Sequence, residues 1–184
     1  MAVNVSPRQF QQPNVVSMIR DALERSGFDP HYLEIEITET TAMLDPALTA
    51  EILLDLKKLG MSIAIDDFGV GHSSLNYLKR FPIDTLKIDQ SFVKDITRGG
   101  SDGAIVSAVI AMGKALNIRV IAEGVETQEQ LNFLKEHGCY EFQGYLFSRP
   151  MAASALTEMI HTASPGAYTH RYARTIHAVA SPEH

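Results

Sequence analysis

Two adjacent carboxylates, Asp66 and Asp67, close an alternating apolar run at residues 61–65, and the glycine-punctuated stretch Phe68-Gly69-Val70-Gly71 follows at once. Neighbouring side chains of a strand point to opposite faces, so a second Asp directly after the first marks where the strand ends and the backbone turns. Holding two acids there is costly unless a cation lies between them. The pattern recurs along the chain. Asn4 closes a first β-like run, Glu36 and Glu39 a second, Lys87 and Asp89 a fourth, Glu123 and Glu126 a fifth, and Gln143 a sixth. Carboxylates with Asn, and without Cys or clustered His, form a hard-oxygen set suited to Mg2+ or Mn2+ rather than to structural zinc. An Asp bridging two ions roughly 3.5–4 Å apart would give the two-metal arrangement of phosphoryl displacement. A lysine beside it could orient the attacking water or stabilise charge on the phosphate.

Each of these residues also has a plainer role open to it. Paired Asp before Gly is a common turn or helix cap. Glu34 alternates with Glu36, and one of the two is expected on the helix-facing side as a salt-bridged acid. Lys87 at a strand end could be a Schiff-base nucleophile or an ordinary ion-pair partner. Glu126 could serve as the first-turn acid of the following helix, and Glu39 as a loop brace that never touches a metal. What favours a shared site is that all these residues fall at strand ends.

The elements that must bring them together alternate in type. Strands are predicted at residues 2–5, 32–37, 61–65, 83–88, 119–122 and 140–143. Helices are predicted at 13–25, closed by Gly27, and from the Asp45-Pro46 cap to Leu59. Further helices are expected at 74–80, 101–117, after a Thr127/Gln130 capping box, and at 152–160. Six βα units imply an α/β fold with parallel strands and helices packed outside. The carboxyl ends of parallel strands converge on one rim, which is where active sites lie.

Composition narrows the function classes. A chain of 184 residues with 45% hydrophobic content can bury one sizeable core. A net charge of -6 argues against a DNA or RNA polymer bound through a broad basic surface, while a small phosphate ligand remains compatible with a metal. One cysteine, Cys139, excludes an intrachain disulfide and suits a reducing cytoplasm. No apolar run approaches the roughly 20 residues of a membrane span, and no signal-peptide pattern opens the chain. Four of the seven histidines, His161, His170, His177 and His184, lie at the C-terminal end, and none forms a close pair at helical spacing. Residues 162–184 lose periodicity and are expected to be a flexible tail after a domain at residues 1–161.

Several runs resemble, in order, the motifs of the EAL domain. They are Asn4-Val5-Ser6, Glu36-Ile37-Thr38-Glu39, Asp66-Asp67-Phe68-Gly69-Val70-Gly71-His72-Ser73-Ser74, Leu86-Lys87-Ile88-Asp89, Ala122-Glu123-Gly124-Val125-Glu126 and Gln143-Gly144-Tyr145-Leu146-Phe147-Ser148-Arg149-Pro150. That family resemblance implies a modified TIM barrel that hydrolyses the bacterial second messenger cyclic di-GMP to linear pGpG with Mg2+ or Mn2+. By the same resemblance, Asn4, Glu36 and Asp66 would hold one metal, and Asp66 would bridge to a second bound by Asp67 with Glu123 in its shell. Lys87 and Gln143 would contact the attacking water, and Glu123 is the candidate general base. Phe68, Gly69, Gly71 and Ser73 would form a loop coupling metal binding to substrate and dimer contacts, with Glu39 bracing it and Glu126 supporting loop or substrate.

The Glu-Ala-Leu segment that names the family, whose glutamate is a metal ligand, is absent and would lie upstream of Met1. With six of eight barrel strands, the expected fold is an incomplete TIM-like (β/α) barrel. It implies a truncated and impaired form, a gene model begun at an internal Met, or completion by a homodimeric or strand-completing partner. The parent protein is expected to be cytoplasmic or membrane-anchored through upstream segments, with an upstream sensory or GGDEF-type domain. The alternative function is a non-catalytic cyclic di-GMP-binding or protein-interaction module; a third is a lysine Schiff-base enzyme.

Overall fold

Alternation along the strands sorts their side chains into one polar and one apolar face, and the computed structural model, which describes residues 1–71 and 75–162, shows what each face meets. The strands are β1 (Ala2–Asn4), β2 (Glu34–Thr38), β3 (Ser62–Phe68), β4 (Thr85–Ile88), β5 (Arg119–Ala122) and β6 (Glu141–Phe142). They form a single sheet in chain order, with every neighbouring pair parallel. Parallel neighbours need crossovers, which eight of the nine helices among the described residues supply, the ninth following β6. These are α1 (Pro7–Phe10), α2 (Val15–Ser26), α3 (Glu39–Leu44), α4 (Pro46–Lys58), α5 (Leu75–Leu78), α6 (Gln90–Lys94), α7 (Ser101–Leu116), α8 (Gln128–Glu136) and α9 (Ala153–Thr162). A 3-10 turn at Pro30–Tyr32 leads into β2. The expectations for Ser73 and for the tail at residues 163–184 lie outside the described residues.

The apolar face is the core. Ile35 and Ile37 of β2, Ile63 and Ile65 of β3, Leu86 and Ile88 of β4 and Ala122 of β5 are buried in one cluster. Leu53 and Leu56 of α4, Val106 and Ile110 of α7, and Leu131 and Leu134 of α8 cover them. Each such Leu or Ile side chain contributes about 1.5–3 kcal/mol when fully buried. Helix starts are set by side chains: Asp45 accepts from the Leu48 N–H at 3.1 Å ahead of Pro46. Thr127 and Gln130 form the capping box of α8.

Three expectations are corrected. Strand β3 does not stop at residue 65 but runs to Phe68, through a register shift between Ile65 and Phe68. Asp67 adopts φ 52 within that shift, a left-handed conformation that Asp tolerates better than most residues. Glu34 and Glu36 do not lie on opposite faces. They are two residues apart, a full strand period, and register places them beside Ser62 and Ala64 on one face. Glu126 is not a first-turn acid: it precedes the Thr127 cap and is exposed, and Glu129 holds the first-turn position.

Candidate active site

Lys87 is the centre of the polar face. It sits in β4, all of whose residues are buried, and its side chain is 5% exposed. A lone ammonium at that depth would carry a large desolvation penalty. Its Nζ lies 3.0 Å from Glu36 Oε2, 3.1 Å from Asp66 Oδ1 and 2.7 Å from Glu123 Oε1. Four elements, β2, β3, β4 and the turn leaving β5, thus deliver one group each to the carboxyl-terminal rim. Burial alone would pull Lys87 down, but the charges of Glu123, Asp66 and Glu36 outweigh it and hold the lysine above its ordinary value. Glu36 and Glu123 are raised by burial, only partly offset by Lys87 and reinforced by Asp66. One ammonium among three carboxylates leaves negative charge in excess, which is why proton affinities rise on both sides.

Asp67 adds to that excess. Burial raises its carboxyl, then the charges of Asp66 and Asp89. Its backbone N–H donates to Asp66 Oδ1 at 3.0 Å, within the register shift at the end of β3. Beyond them the loop is tied back to α3. Buried Glu39 Oε2 accepts from the Gly69 N–H at 2.8 Å and the Gly71 N–H at 3.3 Å. A Cβ at Gly71 would stand 2.8 Å from Glu39 Oε1. Phe68 is buried in the core beneath the loop.

Gln143 follows β6, and its N–H donates to the Ala122 carbonyl at 2.8 Å, bringing it to the same rim as Glu123. Its Oε1 is buried and finds no hydrogen-bond partner among the described residues. Asn4 stands in register with Glu36 but is exposed at the edge of the sheet. Glu126 is also exposed; its N–H, not its carboxylate, is engaged, donating to Gln130 Oε1 at 2.7 Å.

Sequence reasoning passed over a second tier beneath this rim. Arg119 Nη2 donates at 2.8 Å to both Glu34 Oε2 and Thr85 Oγ1, and its Nη1 lies 3.7 Å from Glu141 Oε2. Glu34, Thr85 and Glu141 each lie two residues before Glu36, Lys87 and Gln143, so the period of two carried the signal for the tier.

Among the described residues, no three Asp, Glu, His or Cys side chains converge on a point that a metal ion could take as they stand. The carboxylates are turned onto Lys87 instead. The donor chemistry nevertheless fits a hard divalent cation. It is all oxygen, it carries excess negative charge, and it includes the buried Gln143 Oε1.

Comparison with known proteins gives the architecture a family. The model of the EAL domain matches residues 1–150. The chain belongs to the EAL-domain family. The bifunctional diguanylate cyclase/cyclic di-GMP phosphodiesterase MucR of Pseudomonas aeruginosa is 47% identical over 156 residues, covering 85% of this chain and 23% of MucR. The cyclic di-GMP phosphodiesterase NbdA of the same organism is 46% identical over 160 residues, covering 87% of this chain and 20% of NbdA. Among solved structures, the MucR phosphodiesterase in complex with c-di-GMP superposes with a TM-score of 0.82 at 47% identity. That match covers 84% of this chain and 63% of the solved one. The Klebsiella pneumoniae BlrP1 manganese/cyclic di-GMP complex gives a TM-score of 0.73 at 40% identity, over 80% of this chain and 38% of that one. The EAL-domain chain therefore spans about a quarter or less of these curated relatives, and its six-stranded sheet is an incomplete α/β barrel of the EAL type.

Proposed function

We propose that this EAL-domain chain is the catalytic part of a metal-dependent phosphodiesterase that hydrolyses cyclic di-GMP to linear pGpG. The observation that carries the reading is the grip of Glu36, Asp66 and Glu123 on Lys87 at the strand ends, in a chain nearly half identical to relatives named as cyclic di-GMP phosphodiesterases. Asn4, Glu36 and Asp66 would hold one Mg2+ or Mn2+, and Asp66, Asp67 and Glu123 a second. Bound there, the ions would supply positive charge for the phosphate oxygens and for an activated water.

The protein's own groups then have separable tasks. Lys87 and Gln143 orient the water, the latter through its buried amide. Glu123 accepts the water proton, and burial brings its proton affinity closer to neutral pH than that of an ordinary carboxylate. The water oxygen bonds to phosphorus, the P–O3′ bond breaks, and the departing 3′ oxygen takes a proton from solvent, so that pGpG keeps a 5′-phosphate. Gly69 and Gly71 belong to the loop beside the substrate, which Phe68 supports from the core and Glu39 braces, and Glu126 faces substrate from the rim.

Residues 1–161 constitute the domain that carries this work. No helix among the described residues is long and apolar enough to cross a membrane. Among the described residues β1 and β6 are the edges of the sheet, where further strands, from a second copy or another segment, would pair.

The test is pGpG release from cyclic di-GMP with Mn2+, in this chain and in a version extended upstream to a barrel of about 250 residues. Hydrolysis by the longer version, abolished by EDTA, is expected, with weak turnover by the 184-residue chain. Binding without turnover in the longer version would point to a binding module. Activity that survives EDTA, with borohydride trapping at Lys87, would point to Schiff-base chemistry instead.

A further inference from the structure

Helix α6 stands between the end of β3, which carries Asp66 and Asp67, and the turn after β5, which carries Glu123. On one flank lies Gly69, two residues after Asp67, at φ +104. A Cβ there would come within 2.9 Å of Phe92 Cε2, so the ring packs directly against the bare backbone. The same Gly69 donates its N–H to Glu39 at 2.8 Å, so the residue is held between the Phe92 ring and the Glu39 carboxylate. On the other flank lies Gly124, next to Glu123, at φ +69; a Cβ there would meet Gln90 Cβ at 2.5 Å. The end of α6 is tied down as well: Gln130 Nε2 donates to the Lys94 carbonyl at 3.3 Å. Five residues thus act as a spacer between the Asp66–Asp67 end of β3 and the Glu123 turn.

We propose that Phe92 is a positioning residue of the acidic site, its ring fixing the Gly69 peptide and thereby the placement of Asp66 and Asp67 relative to Glu123. This rests on the metal-site reading above. The rigid ring reaches the unsubstituted Cα with its Cε2 side and leaves no room there for a Cβ. A branched aliphatic of similar volume would keep the core contact of α6 but leave a gap against the glycine.

The 184-residue chain with Phe92→Leu and with Phe92→Tyr tests this by two readouts, Mn2+ binding in a calorimeter and amide hydrogen exchange at Gly69 and Gly71. Phe92→Leu is expected to weaken Mn2+ about tenfold, the range seen when a residue supporting metal ligands is lost. It should also speed exchange at the two glycines and leave the α8 amides unchanged. Phe92→Tyr should match wild type in both. The proposal is overturned if Phe92→Leu matches wild type, or if Phe92→Tyr loses as much with exchange raised throughout the chain, the mark of a general packing role. Wild-type protein that takes up no Mn2+ would sink the metal-site reading itself, and this proposal with it.

Discussion

Lys87 neutralises part of a carboxylate cluster that would otherwise repel itself, and its removal should show as a pH-dependent loss. Lys87→Met keeps the apolar stem and deletes the charge; breaking a buried ion pair from one side costs about 3–5 kcal/mol. Glu36 and Glu123 already sit above the ordinary carboxylate value, 4.5, because burial outweighs the lysine, and without the ammonium they rise further. Between that value and the raised one the folded state binds more protons than the unfolded chain, so stability falls as pH rises through the window. Urea midpoints of Lys87→Met should therefore lie further below wild type at pH 8 than at pH 5, and Mn2+ should restore part of the difference. An equal gap at both pH values would contradict the charge account. Lys87 itself is held above its ordinary value, so in wild type its contribution is complete below 10.5 and is lost as pH rises beyond it.

The elements around the rim decide whether these groups meet. Glu39 opens α3, and its carboxylate accepts the Gly69 and Gly71 N–H groups. Glu39→Ala leaves two partly buried donors without that acceptor, at a cost of about 1–3 kcal/mol. Thermal denaturation should register that loss, and it should be larger than that from Asp45→Ala, which removes only a cap worth roughly 1 kcal/mol. Equal effects would mean that the tie between loop and helix is weaker than its geometry. The long helices, the caps at Asp45 and Thr127, and the strand ends at Asn4, Lys87 and Glu123 were legible because periodicity and capping chemistry are local. Helices α1, α3 and α6 were not, being four to six residues long and too short to show a period. The extension of β3 was hidden because its bulge breaks the alternation at Asp67. The ion cluster on Lys87 was hidden for another reason: strand ends predict a common rim, but which acid faces which base depends on register between strands.

At the scale of the molecule, the sheet divides a dry face from a charged one, and Cys139 reports on the dry side. Its thiol is 2% exposed, lies 3.5 Å from the Val120 carbonyl, and is pushed up to about 11 by burial. The folded state keeps that proton while an unfolded thiol loses it near 9.0, so stability falls as pH rises from 9 to 11. Labelling by a thiol reagent at pH 8 should then follow global unfolding and accelerate in step with the urea transition. Fast labelling under native conditions would mean that the packing beside β5 and β6 opens locally. The charged face poses the larger question, whether side chains from separate strands share a cation. Crystals grown with Mn2+ and measured at its absorption edge answer it most directly. Anomalous peaks are expected within about 2.0–2.3 Å of the Asp66 carboxylate, between Glu36 and Glu123. Peaks found only elsewhere on the protein, with Lys87 still closing on the three acids, would contradict a metal-dependent site at this rim.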